Sequence, residues 1–372
     1  MRFSHCTLAL VLSLALPAPL FAGGSIKIGV AGAHSGDLAS YGLPTLGAVR
    51  IVVDKANTSG GIGGKKIELL VEDDACKPEM ATNAATKLLS EGAQVVIGHT
   101  CSGATKAALP IYKNANILLL SPSATSPELT HSGEYPNFYR TIAPDDAQAR
   151  INVDFAINTL GMKNIAVIHD KGDYGKGFAE FAKKFIEDSG KAKVALFEGI
   201  TPGAVDYSAI VQKIKQSQAD AVIFGGYHPE ASKIVGAMKR KKLDVAFISD
   251  DGVKDITFIK VAGKNAEGVY ASGPKDSTKN PISIQAFAEY KAIHKADAGA
   301  FYENAYAAAL AMVNALKATG GATDLPALKK ALQTEKVDTP LGLISFDATG
   351  DAVGVGFSMF QVQNGQFVEV KK

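Results

Sequence analysis

Short apolar runs recur along the chain at spacings of roughly 20–30 residues, with amphipathic stretches between them. The runs cover residues 26–33, 67–72, 94–98, 117–121, 165–169, 194–198, 221–225 and 245–249. Each is short, rich in Val, Ile and Leu, and apolar on successive positions. That is the pattern of a strand buried on both faces of a parallel sheet. Helical periodicity falls between them, at 46–56, 78–89, 174–189, 207–216 and 229–241. The first of these ends at Ser59-Gly60-Gly61 and the third at Gly190, both helix-stop signals. Strand–helix–strand alternation predicts an α/β protein with doubly wound parallel sheets.

The pattern divides in two. Four strands form a first block, and an irregular stretch at 126–143 follows, with Pro127, Pro136 and Pro144 in or beside it and a connecting strand at 137–142. Four more strands form a second block. After a run at 269–272 come helices at 281–295, 302–319 and 325–333, then late strands at 343–346 and 356–362. At 372 residues the chain exceeds what one core usually serves, so two lobes with a cleft are expected. Hydrophobic residues make up 47% and charged residues 20%, enough apolar surface to exclude disorder. A net charge of +2 argues against a nucleic-acid partner, which would need a basic excess or stripe. The basic run Lys239-Arg240-Lys241-Lys242 reads as a solvated helix end.

The first 22 residues read as an export signal. Arg2 precedes the apolar run at 8–16, Pro17 and Pro19 break it, and cleavage is expected after Ala22. Nine apolar residues are too few to span a bilayer, which takes about 20. An exported chain meets an oxidising compartment, where the remaining pair, Cys76 and Cys101, suggests a disulfide. The rival reading is a nucleophilic Cys101 with His99 two residues away.

Catalytic and phosphate-binding motifs are missing. Gly61-Ile62-Gly63-Gly64-Lys65 lies after a helix and before a strand, the reverse of a phosphate cradle, and reads as a turn. No Gly-x-Ser-x-Gly or His-Glu-x-x-His occurs, so no enzyme, metal or cofactor is expected. Polar chemistry instead gathers at strand ends, where open α/β sheets bind ligands. Tyr41 follows the first strand. His99-Thr100-Cys101-Ser102 follows the third, and Ser121-Pro122-Ser123-Ala124-Thr125 the fourth. In the second block the ends carry Tyr174, Tyr227 and Asp250-Asp251-Gly252. Hydroxyls and helix N-termini suit a carboxylate, while tyrosines and carboxylates suit an ammonium on an apolar body. N-capping and plain packing are the competing explanations for the same residues.

These segments resemble the periplasmic binding proteins for leucine, isoleucine and valine that feed ABC importers. The resemblance spans nearly all of the exported chain. It rests on Asp73-Asp74-Ala75-Cys76, the 96–102 segment, the 121–125 segment, His169-Asp170-Lys171-Gly172-Asp173-Tyr174-Gly175 and Gly225-Gly226-Tyr227-His228-Pro229-Glu230, in that order. It implies a bilobed periplasmic-binding-protein type I fold, two doubly wound parallel-sheet lobes joined by three crossovers. Residues 23–142 plus 276–350 would form one lobe, and 143–275 plus 351–372 the other. It supports the Cys76–Cys101 disulfide. It also implies a small amino acid as ligand, permease subunits of an importer as membrane partners, a periplasmic location and a soluble monomer.

The resemblance further implies roles for single residues. Ser102 would hold the α-carboxylate. Thr125 would serve carboxylate and ammonium together, and Ser123 would offer a carbonyl to the ammonium. Tyr174 and Tyr227 would close the second lobe over the ligand, with Tyr41 and Phe301 as side-chain walls. Two positions depart from the pattern. Asp251 stands where these binders usually have Glu, and Thr100 where they have an apolar pocket residue. Smaller or polar ligands (alanine, threonine, 4-aminobutyrate, an amide or urea-like solute) therefore stay open beside the branched-chain reading, as does a ligand sensor.

Overall fold

A computed structural model describes residues 24–371, so the export-signal expectation lies outside the described residues. The chain opens with β1 (Ser25–Gly32), α1 (Ala39–Thr58), β2 (Lys66–Asp73), α2 (Pro78–Ser90) and β3 (Val95–Ile97). It continues with α3 (Ser102–Asn114), β4 (Leu118–Ser121), α4 (Glu128–His131) and β5 (Phe138–Arg140). The strands pair in the order β2-β1-β3-β4-β5, all parallel. Side chains alternate across this sheet. Val95, Ile97, Leu118 and Leu120 enter one core, and Val96 and Leu119 the opposite one. Helices must cover both faces, which is why β3 and the first three residues of β4 are apolar.

The chain then crosses to a second sheet. Its elements are α5 (Asp145–Asp154), β6 (Asn164–His169), α6 (Asp173–Ser189), β7 (Lys193–Gly199) and α7 (Ser208–Gln216), then β8 (Ala221–Gly225), α8 (His228–Arg240), β9 (Ala246–Ser249), α9 (Ile256–Ala262) and β10 (Tyr270–Pro274). A return crossing brings α10 (Pro281–His294), α11 (Tyr302–Ala318), α12 (Leu325–Thr334), β11 (Val337–Thr339), β12 (Gly342–Phe346) and β13 (Ala352–Val353). Residues Tyr302 to Leu316 of α11, with Leu328, Ile344 and Phe346, complete the first core against α1 and β1. A third crossing leads to β14 (Phe357–Gln363) and β15 (Gln366–Glu369), which extend the second sheet as β15-β14-β10-β9-β8-β6-β7. β10, β14 and β15 pair antiparallel there, and the remaining strands are parallel. Two parallel-dominant α/β lobes joined by three crossings are the architecture expected.

Some elements depart from the expected ones. α1 begins at Ala39 rather than Leu46, because Pro44 in its second turn interrupts the apolar periodicity. α3 was absent from the sequence pattern, since Gly103 and Pro110 lie inside it. α5 was missed for a different reason. It buries Asp145, Gln148 and Asn152, so the face it turns inward is polar. Cys76 and Cys101 form the disulfide, with Cα atoms 5.5 Å apart, and this removes the nucleophile reading of Cys101. His99 is fully buried and turned elsewhere, with Nδ1 2.5 Å from Asp74 Oδ2 and Nε2 3.1 Å from the Tyr112 hydroxyl. Among the described residues, no helix is long and apolar enough to cross a membrane.

One buried ion pair ties the first crossing to the third. Arg140, at the end of β5, is wholly buried, and its Nε donates to Asp351 Oδ1 at 2.6 Å. Nη1 donates to the carbonyls of Ser126 (2.8 Å) and Ala124 (3.2 Å), and Nη2 to Thr130 Oγ1 (2.6 Å). Each nitrogen of the guanidinium is thus bonded. Burial opposes ionisation of Asp351, but Arg140 beside it and the His131 ring 2.8 Å away outweigh this and hold its carboxyl below the usual range. Replacing Asp351 by Ala strands the buried guanidinium without its counter-charge. The expected cost is about 3–5 kcal/mol, read as a lower denaturant midpoint at unchanged slope.

Candidate functional site

The carboxyl ends of both parallel sheets face the same cleft. β1, β3 and β4 deliver residues from one lobe, and β6, β8 and β9 from the other. Tyr41 sits in the first turn of α1. Thr100 and Cys101 lead into the N-terminus of α3, where Ser102 is its first residue. Ser123 and Thr125 follow β4. On the second lobe Tyr174 opens α6, Tyr227 precedes α8, and Asp251-Gly252 follow β9. Phe301 precedes α11 with a left-handed φ of 60°, uncommon for a bulky side chain. That conformation sets its ring 5.6 Å from Tyr41, centroid to centroid.

Eight of the nine residues singled out from the sequence line one cavity: Tyr41, Thr100, Ser102, Ser123, Tyr174, Tyr227, Asp251 and Phe301. Cys101 and Gly252 complete the wall. Thr125, the ninth, is not in the lining. It is fully buried, its carbonyl accepts the Asp145 N–H at 2.9 Å, and its side chain neighbours the Asp145 carboxyl. The cavity measures about 10 Å³, room for roughly one water. It is smaller than any amino acid.

The lobes meet across this cavity. The Tyr41 hydroxyl donates to the Gly252 carbonyl at 2.5 Å, and the Gly252 N–H donates to the Tyr174 hydroxyl at 3.0 Å. Only glycine fits at 252, because a Cβ there would lie 2.4 Å from the Gly226 carbonyl. Sequence reasoning did not give Gly252 a role of its own, since its function lies in backbone atoms. Tyr227 stacks at a tilt between Tyr41 and Tyr174, at 6.0 and 5.2 Å. Ser40 Oγ lies 3.1 Å from His228 Nε2 across the same cleft, a contact the sequence pattern did not suggest.

The electrostatics are lopsided. Asp251 is 2% exposed, its Oδ1 accepts the Tyr174 hydroxyl, and the Gln148 side chain is its second neighbour. Burial pushes its carboxyl up to about 6, despite the Tyr174 bond acting the other way. Burial, reinforced by the charge of Asp251, also raises Asp145 and Asp250 well above the carboxylate range. Burial raises Asp170 to about 6. The second lobe therefore presents a desolvated acidic wall, and the first presents hydroxyls and the positive end of α3. Opposed charges of this kind suit a zwitterion. Among the described residues, no group of three or more His, Cys, Asp or Glu is placed to hold a metal ion.

Two α/β lobes meeting at the carboxyl ends of their sheets, with hydroxyls on one side and carboxyls on the other, define a solute-binding module. A family model described as periplasmic binding protein matches residues 25–366, and the chain belongs to that family. It is 34% identical over 337 residues to the leucine-, isoleucine-, valine-, threonine- and alanine-binding protein of Pseudomonas aeruginosa, covering 91% of this chain and 90% of that one. It is 35% identical over 348 residues to the Leu/Ile/Val-binding protein of Escherichia coli K12, covering 93% of each. Among solved structures, the branched-chain amino acid substrate-binding protein LivJ of Streptococcus pneumoniae, in complex with isoleucine, superposes with a TM-score of 0.83 at 28% identity. That match covers 93% of this chain and all of LivJ.

The raised carboxyl of Asp251 makes stability depend on pH. Its folded value, about 6, lies above its ordinary 3.8, so the closed fold holds a proton that the unfolded chain releases. Stability conferred by that proton is complete below pH 3.8 and is lost as pH rises toward 6. Asp251→Asn keeps a neutral group in the same place. It is expected to reduce this slope and to raise stability at pH 7 by on the order of 1–3 kcal/mol. Denaturant midpoints at pH 4 and 7 for both proteins check this.

Proposed function

We propose that this chain is exported to the periplasm, captures a small L-amino acid by hinge closure, and delivers it to the permease subunits of an ABC importer. The observation that carries the reading is the buried carboxyl of Asp251, which lines one cavity with Ser102 at the start of α3. Ammonium and carboxylate of one ligand would satisfy the two. Branched-chain aliphatic side chains are the first expectation, supported by the names of the relatives at 34–35% identity.

In this reading Ser102 and Thr125 hold the carboxylate, and Asp251, the Thr125 hydroxyl and the Ser123 carbonyl hold the ammonium. Tyr41, Thr100 and Phe301 surround the side chain. Tyr174 and Tyr227 arrive with the second lobe and exclude water. Closure is driven by the groups that only the closed form brings together on the ligand. The chain acts as a monomer, holds no cofactor and binds without turning the ligand over.

Calorimetric titration of the ligand-stripped protein against the common amino acids and 4-aminobutyrate tests this. Leucine, isoleucine or valine should bind with a Kd of about 1 μM or tighter. Asp251→Ala and Ser102→Ala should each weaken binding by roughly 30-fold or more, since each removes a buried partner of a charged ligand group. Unchanged affinity in both variants would sink the assignment of those roles. Silence across the panel from a folded protein would remove the amino-acid reading itself.

A further inference from the structure

The polar face of α5 reaches both walls of the cleft. Asp145, Gln148 and Asn152 fall on one side of the helix, at i, i+3 and i+7, and all three are wholly buried. The adjoining side sends Ala149 and Val153 into the core with Ile165 and Val167 of β6 and Ile223 of β8. α5 is therefore part of the second lobe. Its first residue nonetheless bonds the first lobe's polar loop, the Asp145 N–H donating to the Thr125 carbonyl at 2.9 Å. Two turns on, Asn152 Nδ2 donates to the Ser249 carbonyl at 2.7 Å, at the end of β9 and just before Asp251. Gln148 lies between these two anchors, and its side chain neighbours the Asp251 carboxyl.

We propose that Gln148 is a positioning residue for amine recognition: from the buried polar face of α5, its amide aims the Asp251 carboxyl at the ligand's ammonium. The inference rests on the amino-acid reading above and deepens it. Tyr174 supplies the other hold, since its hydroxyl accepts the Gly252 N–H at 3.0 Å and gives its own proton to Asp251 Oδ1. One bond leaves a carboxyl free to turn about its last torsion, and partners on two helices fix it. Glutamine suits the task because it donates to an ionised carboxylate while adding no charge. A cation at 148 would compete with the ligand's ammonium, and an apolar group would leave the carboxylate short of a donor. The other titratable or charged groups facing Asp251 are Tyr174 of α6, Tyr227 before α8, Asp145 of α5, and Asp250 and Lys254 beside it in the chain.

Leucine and 4-methylpentanoate, which is leucine without its ammonium, separate this role from a structural one. Each is titrated into wild type and Gln148→Met between about pH 5.5 and 8. At pH 7, Gln148→Met should bind leucine roughly tenfold more weakly, as expected on losing a hydrogen bond to a charged group. It should bind 4-methylpentanoate within about twofold of wild type, because that ligand makes no call on Asp251. Leucine affinity should fall with decreasing pH as Asp251 takes up its proton, and in Gln148→Met that fall should begin at higher pH, since the ionised form has lost a donor. Gln148→Asn keeps an amide one methylene short. It should show the same split between the two ligands at smaller amplitude, which serves if the Met variant does not fold. Equal weakening of both ligands, unchanged leucine affinity or an unmoved pH profile overturns the inference and leaves the amino-acid reading intact. Failure of folded wild type to bind leucine or any other amino acid overturns both.

Discussion

The desolvated carboxyl of Asp251 is the constraint on which the cleft depends. Out of water a carboxyl either keeps its proton or finds a cation. Here one oxygen takes the Tyr174 hydroxyl and the Gln148 side chain bonds the same carboxyl, while burial holds Asp145 and Asp250 toward their protonated forms. The first lobe answers with the amino end of α3 and a set of hydroxyls. Neither wall alone selects a ligand. In the proposed function they answer both signs of charge on one ligand, and do so together only when the lobes are shut.

Closure needs walls that move as units, and the interiors of the lobes supply that. β3 and β4 are apolar on both faces, so the strand ends carrying Thr100 and Ser123 are anchored in two cores at once. Arg140 extends this rigidity to the polar loop. By bonding the carbonyls on either side of Thr125, it fixes a backbone that has no sheet partner of its own. Asp351 links the same guanidinium to the last crossing, so loop and hinge share a single buried charge.

Much of this was legible in the sequence. Doubly apolar runs at regular spacing dictate a parallel sheet, and a parallel sheet dictates where ligands bind, so the polar residues after 33, 98, 121, 169, 225 and 249 could be grouped before any coordinates. What stayed hidden has physical reasons. α5 carries its polar residues inward and thus lacks the stripe that marks a surface helix. α3 contains two residues that usually end helices. Gly252 contributes only backbone atoms.

The lobes are interleaved along the chain, and this shapes how the protein is made. The core under β1 and α1 needs α11, whose residues lie about 250 positions further on. Until that helix emerges during synthesis, the apolar face of the first sheet has nothing to cover it. Neither lobe can finish folding while the chain is still growing, and contacts this distant in sequence form slowly. The same topology that joins the lobes by three crossings keeps the nascent chain open until its last helices are made.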